Sequence, residues 1–236
     1  MLIPGQQDNP NHHGLLTMSK DEFKELSSHV AKSGWRLTAH CAGDAAMDIL
    51  LSVWEEVNKE TPIVDKHWIL LHGQFPRLEH FDKIKRLGLY VATQPALTYT
   101  MGADFAKWWG FERACFSHPL DLYLEREVRI GGGSDAFFGD WNPFIQIWFE
   151  ITRQSKWAGV LGAEHAITRE QSLRLHTIDS ALMSNDEDKL GSIEPGKLAD
   201  LVVLSDDILT CSVENIKNIK VLMTMVGGEV VYQRQD

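Results

Sequence analysis

Cysteine is scarce in this chain of 236 residues, which has three, Cys41, Cys115 and Cys211, far apart and without a CxxC pair. That argues against a disulfide framework and suits thiols in a reducing compartment. Basic residues are outnumbered: 23 Lys and Arg face 33 Asp and Glu, a formal net charge of −10, and no block of Lys or Arg stands out. Nucleic acid and anionic membranes are therefore poor partners, and a small molecule or another protein is the better expectation. No run of about 18 apolar residues occurs, so no membrane-spanning helix is expected. The polar first eleven residues have no charged-then-apolar targeting pattern. The expected location is the cytoplasm. Low-complexity stretches are also missing, and 44% hydrophobic with 24% charged residues is an ordinary globular balance.

What is present is an alternation of elements. Ser19 with Glu22 forms a capping-box pattern, followed by an apolar stripe of Phe23, Leu26 and Val30 and a stop at Gly34. Residues 35–40 read as a strand, with Asp44 as N-cap of a helix over 45–58. The unit recurs as strand 67–72 and helix 76–87, then strand 89–93. An aromatic loop over 98–111, a helix over 112–126, a strand over 128–130 and a helix over 143–153 follow. This alternation predicts βαβ crossovers and a parallel α/β sheet covered on both faces. The last third reads differently. Thr168 with Gln171 opens a helix to about residue 183. Strands over 198–204 and 221–232, the second broken at Gly227-Gly228, suggest a small β appendage with a possible short helix over 213–219 between them.

Polar residues recur at the ends of the strands of these βα units. His40 closes the first, His72 the second, Gln94 follows the third, and Asp135 follows the fourth. In a parallel α/β fold these ends share one rim, where polar side chains usually serve a site. Imidazole and carboxylate suit a divalent ion such as zinc, which polarises a carbonyl and lowers the pKa of water to about 7. Asp135 could bind the ion, take a proton from the attacking water, or do both. For each histidine alone, a hydrogen-bonded structural role is the plainer reading; their recurrence at one position favours a site. Trp108 and Trp109 read equally well as an aromatic substrate wall or as loop packing. Gly131-Gly132-Gly133 lacks the lysine of a phosphate loop, and Ser134 lacks a nucleophile elbow. His29, His80, His118, His165 and His176 are expected to be surface or partly buried helix and loop residues.

The stretch His40-Cys41-Ala42-Gly43-Asp44-Ala45-Ala46 resembles the His-x-x-Gly-Asp-x-Ala signature of the YtcJ-like amidohydrolases. Ser134-Asp135-Ala136, with Asn142-Pro143-Phe144 and Thr152-Arg153, is similar to that family's last barrel strand and following helix. Residues 190–201, LGSIEPGKLADL, and 226–232, VGGEVVY, resemble the closing segments of many amidohydrolases. The resemblance implies a TIM barrel with a metal at its C-terminal rim and a small β-sandwich, hydrolysing an amide, formamide or cyclic amide. It implies His40, His72 and Asp135 as metal ligands, Asp135 also as general base. Rim position alone makes Gln94, Trp108 and Trp109 the candidate substrate-binding residues. Two features depart from the pattern. The usual His-x-His pair is absent, His12-His13 being read as surface residues, and Leu71 stands where a glutamate is usual.

A (β/α)8 barrel takes about 250 residues, and four barrel strands are legible, read as the fifth to eighth. The expectation is therefore the C-terminal half of a TIM barrel over residues 1–190 and a portion of the β-sandwich over 191–236, completed by a missing N-terminal half or by self-association. The alternative is a non-catalytic binding or regulatory remnant.

Overall fold

A computed structural model describes residues 14–136 and 138–235; His12 and His13 lie outside them. Helix α1, Lys20–Lys32, starts as its capping box dictates, with the Glu22 amide donating to Ser19 Oγ and the Ser19 amide to Glu22 Oε2. Strand β1, Thr38–Ala42, begins three residues later than the apolar run suggests, because Trp35 sits exposed in the preceding connection. Helix α2 is Asp44–Glu60. Its N-cap is Gly43 at φ 100°, not Asp44. Asp44 is the first helical residue, and its buried carboxylate lies 3.1 Å from Arg113 and 3.9 Å from Arg77.

Strand β2, Ile69–Gln74, helix α3, Leu78–Arg86, and strand β3, Tyr90–Thr93, follow as expected. The expected loop over 98–111 is instead a helix, α4, Pro95–Trp109. Pro95 fits the first helical position, where its missing N–H costs nothing. Thr98, Gly102 and Phe105 then form its buried stripe at helical spacing. The expected helix over 112–126 is two, α5, Phe111–Cys115, and α6, Leu120–Glu125. The break is at His118-Pro119: the residue before proline is disfavoured in the α region, and His118 takes φ 49°. Strand β4, Arg129–Gly132, leads to α7, Pro143–Thr152, capped by Asn142. The last helical region is also split, into α8, Arg169–Leu175, and α9, Ile178–Ser184.

The fold is α/β. Strands β1 to β4 form a parallel sheet in sequential order. Its core joins Trp54, Trp68, Phe81, Leu70, Val91 and Tyr123, all fully buried. Strands β5, Leu201–Leu204, β6, Val221–Val226, and β7, Glu229–Gln233, form a separate antiparallel sheet. Ile208, Ile216 and Ile219, from the segment between β5 and β6, pack on Phe144, Ile147 and Trp148 of α7. Among the described residues no helix is long and apolar enough to cross a membrane.

Candidate functional site

Parallel pairing puts the ends of β1 to β4 on one rim. There Cys41 pairs with His72 and His40 with Leu71, and the register slips just after, between Cys41 and Ala42. Three residues at and just past the end of β2 carry the distortion. His72, Gly73 and Phe75 all have positive φ, 80°, 61° and 55°. For a non-glycine residue such a conformation costs of order 1–3 kcal/mol and persists only where packing enforces it. Gly73 is enforced: its carbonyl accepts a 2.7 Å hydrogen bond from Tyr123 Oη, and a Cβ there would lie 2.5 Å from Val91 Cγ1.

The result is a histidine pair. His72 Nε2 and His40 Nδ1 stand 2.9 Å apart, with the rings edge to face. His40 is exposed, beside an apolar groove of ≈ 250 Å³ lined by Leu16, Met18, Phe23 and Ala46. His72 is buried. Burial first, and the neighbouring His40 second, hold its pKa below the ordinary histidine value, against the opposite pull of Asp135 and a hydrogen-bonding influence from Gln94. A neutral ring is the form that binds a cation.

Gln94, the N-cap residue of α4, is buried against this ring, yet its Oε1 and the Nδ1 of His72 both lack a partner at hydrogen-bonding geometry. Asp135 is exposed at φ 50° in the turn after β4, where its carbonyl accepts from the amides of Phe138 and Gly139. Its charge reaches His72, but among the described residues no three of His, Cys, Asp and Glu gather closely enough to hold an ion. Trp108 and Trp109 end α4 rather than lying in a loop. They stack into a cluster with Phe75 and Phe105, Trp109 at 4.9 Å from the Phe75 ring and 5.2 Å from Phe105.

Two zinc–nitrogen bonds of about 2.0–2.1 Å at a tetrahedral angle set their nitrogens roughly 3.3 Å apart. The facing nitrogens of His40 and His72 are close to that spacing and fit two ligands of one ion; Asp135 is the carboxylate on the same rim.

Several buried groups behind the rim escape sequence reading. His80 is fully buried and bonded to Asp48 at 3.0 Å, and His165 to Asp121 at 2.8 Å. His118 is fully buried between α5 and α6, 2.9 Å from Thr98 Oγ1. Arg153 is wholly buried and donates to the carbonyls of Leu161, His118, Cys115 and Ser117. Glu150 accepts from Ser172 at 2.6 Å and contacts His176 at 3.0 Å. The Pro after His118 is the signal in the sequence that marks it as something other than a helix-surface residue.

Residues 5–232 match the amidohydrolase family. The chain belongs to the amidohydrolase family. An N-substituted formamide deformylase from Arthrobacter pascens is 30% identical over 224 residues, which are 94% of this amidohydrolase chain and 41% of that protein. YtcJ of Bacillus subtilis (strain 168) is 22% identical over 99% of the chain and 44% of its own length. An uncharacterized metal-dependent hydrolase from Pyrococcus furiosus superposes with a TM-score of 0.67 at 27% identity, covering 81% of this chain and 38% of that one. The chain thus spans about two-fifths of the length of the curated relatives it matches.

Proposed function

We propose that the protein hydrolyses a carbon–nitrogen bond other than a peptide bond, in an amide, formamide or cyclic amide. The observation that carries this reading is the His40–His72 pair, two imidazole nitrogens 2.9 Å apart on the rim that also bears Asp135. His40, His72 and Asp135 would hold a divalent ion, zinc being the first candidate. Such an ion polarises the carbonyl and makes the attacking water more acidic. Asp135, open to solvent, takes the proton from that water and returns it to the leaving nitrogen as the C–N bond breaks. Gln94 and the Trp108–Trp109 cluster border the acyl side of the substrate. The formamide activity of the Arthrobacter relative makes small N-substituted formamides the first substrates to try.

In this reading residues 1–190 are the C-terminal half of a TIM barrel and 191–236 part of a β-sandwich, in a cytoplasmic protein that meets its other half in a longer chain or by self-association. The chain of 236 residues by itself is then expected to bind zinc weakly and to turn over little substrate, since affinity and the acidity of bound water fall together as ligands are lost. Zinc titration of the purified chain, beside variants H40A and H72A, tests the site. Binding that both variants abolish supports it, and binding that neither changes removes it. A formamide screen of a protein that includes the missing length tests the activity.

A non-catalytic reading has its own support: no three ligands close among the described residues. Tight, stoichiometric zinc in the chain alone would count against it.

A further inference from the structure

Asp135 keeps an unusual backbone. Its φ of 50° lies in the left-handed region, which a residue with a side chain holds only where its surroundings enforce it. Asp135 is exposed, so packing of its own side chain is not what enforces it. The enforcement comes from Gly139. Two rigid peptide planes flank the Asp135 Cα, and their orientations set the direction in which the side chain leaves the backbone. The plane after it carries the Asp135 carbonyl, which accepts from the amides of Phe138 and Gly139, both at 3.1 Å. A carbonyl oxygen has two lone pairs and takes both. The plane before it carries the Ser134 carbonyl. A Cβ on residue 139 would overlap that oxygen and would also lie 2.8 Å from the Cβ of Ala96, buried in the first turn of α4. Gly139 thus grips both planes. Its own φ is not positive, so space and not backbone conformation calls for glycine here.

The turn is anchored on two helices. Thr100 Oγ1 of α4 lies 2.9 Å from the carbonyls of both Phe138 and Ala96, which share its one proton. Gln146 of α7 is buried and donates to the Asp140 carbonyl at 3.1 Å. Gly133, on the other side of Asp135, gives the contrast. A Cβ there would meet only ordinary contacts, 3.8 Å from the Thr93 carbonyl oxygen and 4.0 Å from Gln94. Gly133 is two residues from Asp135 and Gly139 is four, so nearness in sequence and grip on Asp135 point to different residues.

We propose that Gly139 is a positioning residue for Asp135: the lack of a side chain at 139 lets the turn close on the Ser134–Asp135 peptide and so fixes the direction of the Asp135 carboxylate on the rim that bears His40 and His72. Its consequence for cation binding rests on the metal reading above, and the backbone clamp itself does not. Loss of a group that orients a metal ligand typically weakens binding 10–100-fold.

The test is amide hydrogen exchange and backbone 13C shifts of the labelled chain, followed by a Zn2+ titration. The parent should show slow exchange at the Phe138 and Gly139 amides and the left-handed shift pattern at Asp135. G139A should lose both and bind Zn2+ tenfold or more weaker, while G133A keeps both and binds as the parent does. The decisive comparison has D135A already in place. A residue that acts through Asp135 then has nothing left to position, so adding G139A should leave the Zn2+ dissociation constant where D135A put it. An equal loss with and without Asp135 would show a purely structural glycine and overturn the proposal, as would a folded G139A that keeps the Asp135 pattern. If G139A fails to fold, T100V takes its place: weaker Zn2+ binding that T100S restores supports the clamp, and parent-like exchange and binding in T100V overturn it. A parent chain that takes up no Zn2+, or whose affinity D135A leaves unchanged, would defeat the metal reading alone; exchange and shifts in G139A and G133A would then decide the clamp.

Discussion

The two sheets of this molecule meet water in opposite ways. In the parallel sheet β2 and β3 are nearly all buried, and so are the polar side chains His72, Gln74, Thr93 and Gln94 at their ends. In the antiparallel sheet every residue of β7 is exposed, and Val202, Val226, Val230, Val231 and Tyr232 present apolar surface to solvent. Stability and chemistry should therefore both concentrate in the first unit. The second should tolerate change, since an exposed side chain that loses a methyl group loses little packing.

The largest break in that comparison is expected at Arg153. Its guanidinium donates to four carbonyls, three of these bonds fully buried, that tie α5, the His118 turn and the segment after α7 together. In Arg153→Ala those acceptors lose their donors in a place water reaches poorly. The expected loss is about 3–5 kcal/mol, read as a lower midpoint in urea unfolding. A loss below 1 kcal/mol would mean that the parallel unit does not depend on its polar interior.

Gly73→Ala comes next. Alanine must adopt φ 61° and place its Cβ 2.5 Å from Val91 Cγ1 and 2.8 Å from Tyr123 Oη. Backbone strain plus overpacking should cost about 2–4 kcal/mol. Because the His72 ring hangs on this turn, the histidine pair should be disturbed with it. A variant as stable as the parent would show that the turn can relax.

How much of this was readable beforehand follows the same divide. Strands β2 and β3 are short apolar runs and helix α1 has its capping box, so both are visible locally. Gln94 and Asp135 follow β3 and β4 as the sequence suggests, but β1 and β2 run two residues past His40 and His72, to Ala42 and Gln74, because parallel pairing continues beyond the histidines. Helix α4 was not readable, because its buried face is made of Thr98, Gly102 and Phe105, in which a threonine and a glycine dilute the apolar period. Asp44 looks like a cap in the sequence because its partners, Arg77 and Arg113, are 33 and 69 residues away. His118 and His176 owe their roles to Thr98 and Glu150 on other helices, and no local pattern announces such long-range pairs.

Acid and alkali should act on the parallel unit through different histidines. His72 and His118 have folded pKa values below the ordinary value of about 6.5. As pH falls below about 6.5 the unfolded chain takes up protons that the folded chain refuses, so stability drops until the folded pKa is passed. His176 is the reverse case. Burial alone would push it down, but the charge and hydrogen bond of Glu150 together outweigh burial and raise it. Its contribution is complete below about 6.5 and fades as pH rises through its folded pKa. The H118L variant should flatten the acid limb of a urea-midpoint profile, and E150Q the limb above 6.5. An acid limb that survives unchanged in H118L would assign it to other groups.

The smallest effect is predicted for Val231→Thr in β7. The residue is 61% exposed, so little apolar area returns to water on substitution. Threonine keeps the β-branched shape that suits a strand. In the chain alone the change in stability should stay within about 0.5 kcal/mol. That near-zero value is informative, because a run of exposed valines on a sheet is the kind of patch that another surface covers. If the chain self-associates through this face, the same substitution should lower the apparent stability more at high protein concentration than at low, since association stabilises by mass action. Urea midpoints at two concentrations a hundredfold apart separate the cases. Equal, small shifts at both would leave the antiparallel sheet as open to solvent as it is here, and a shift confined to the higher concentration would show that the contrast between the two sheets ends where a second copy begins.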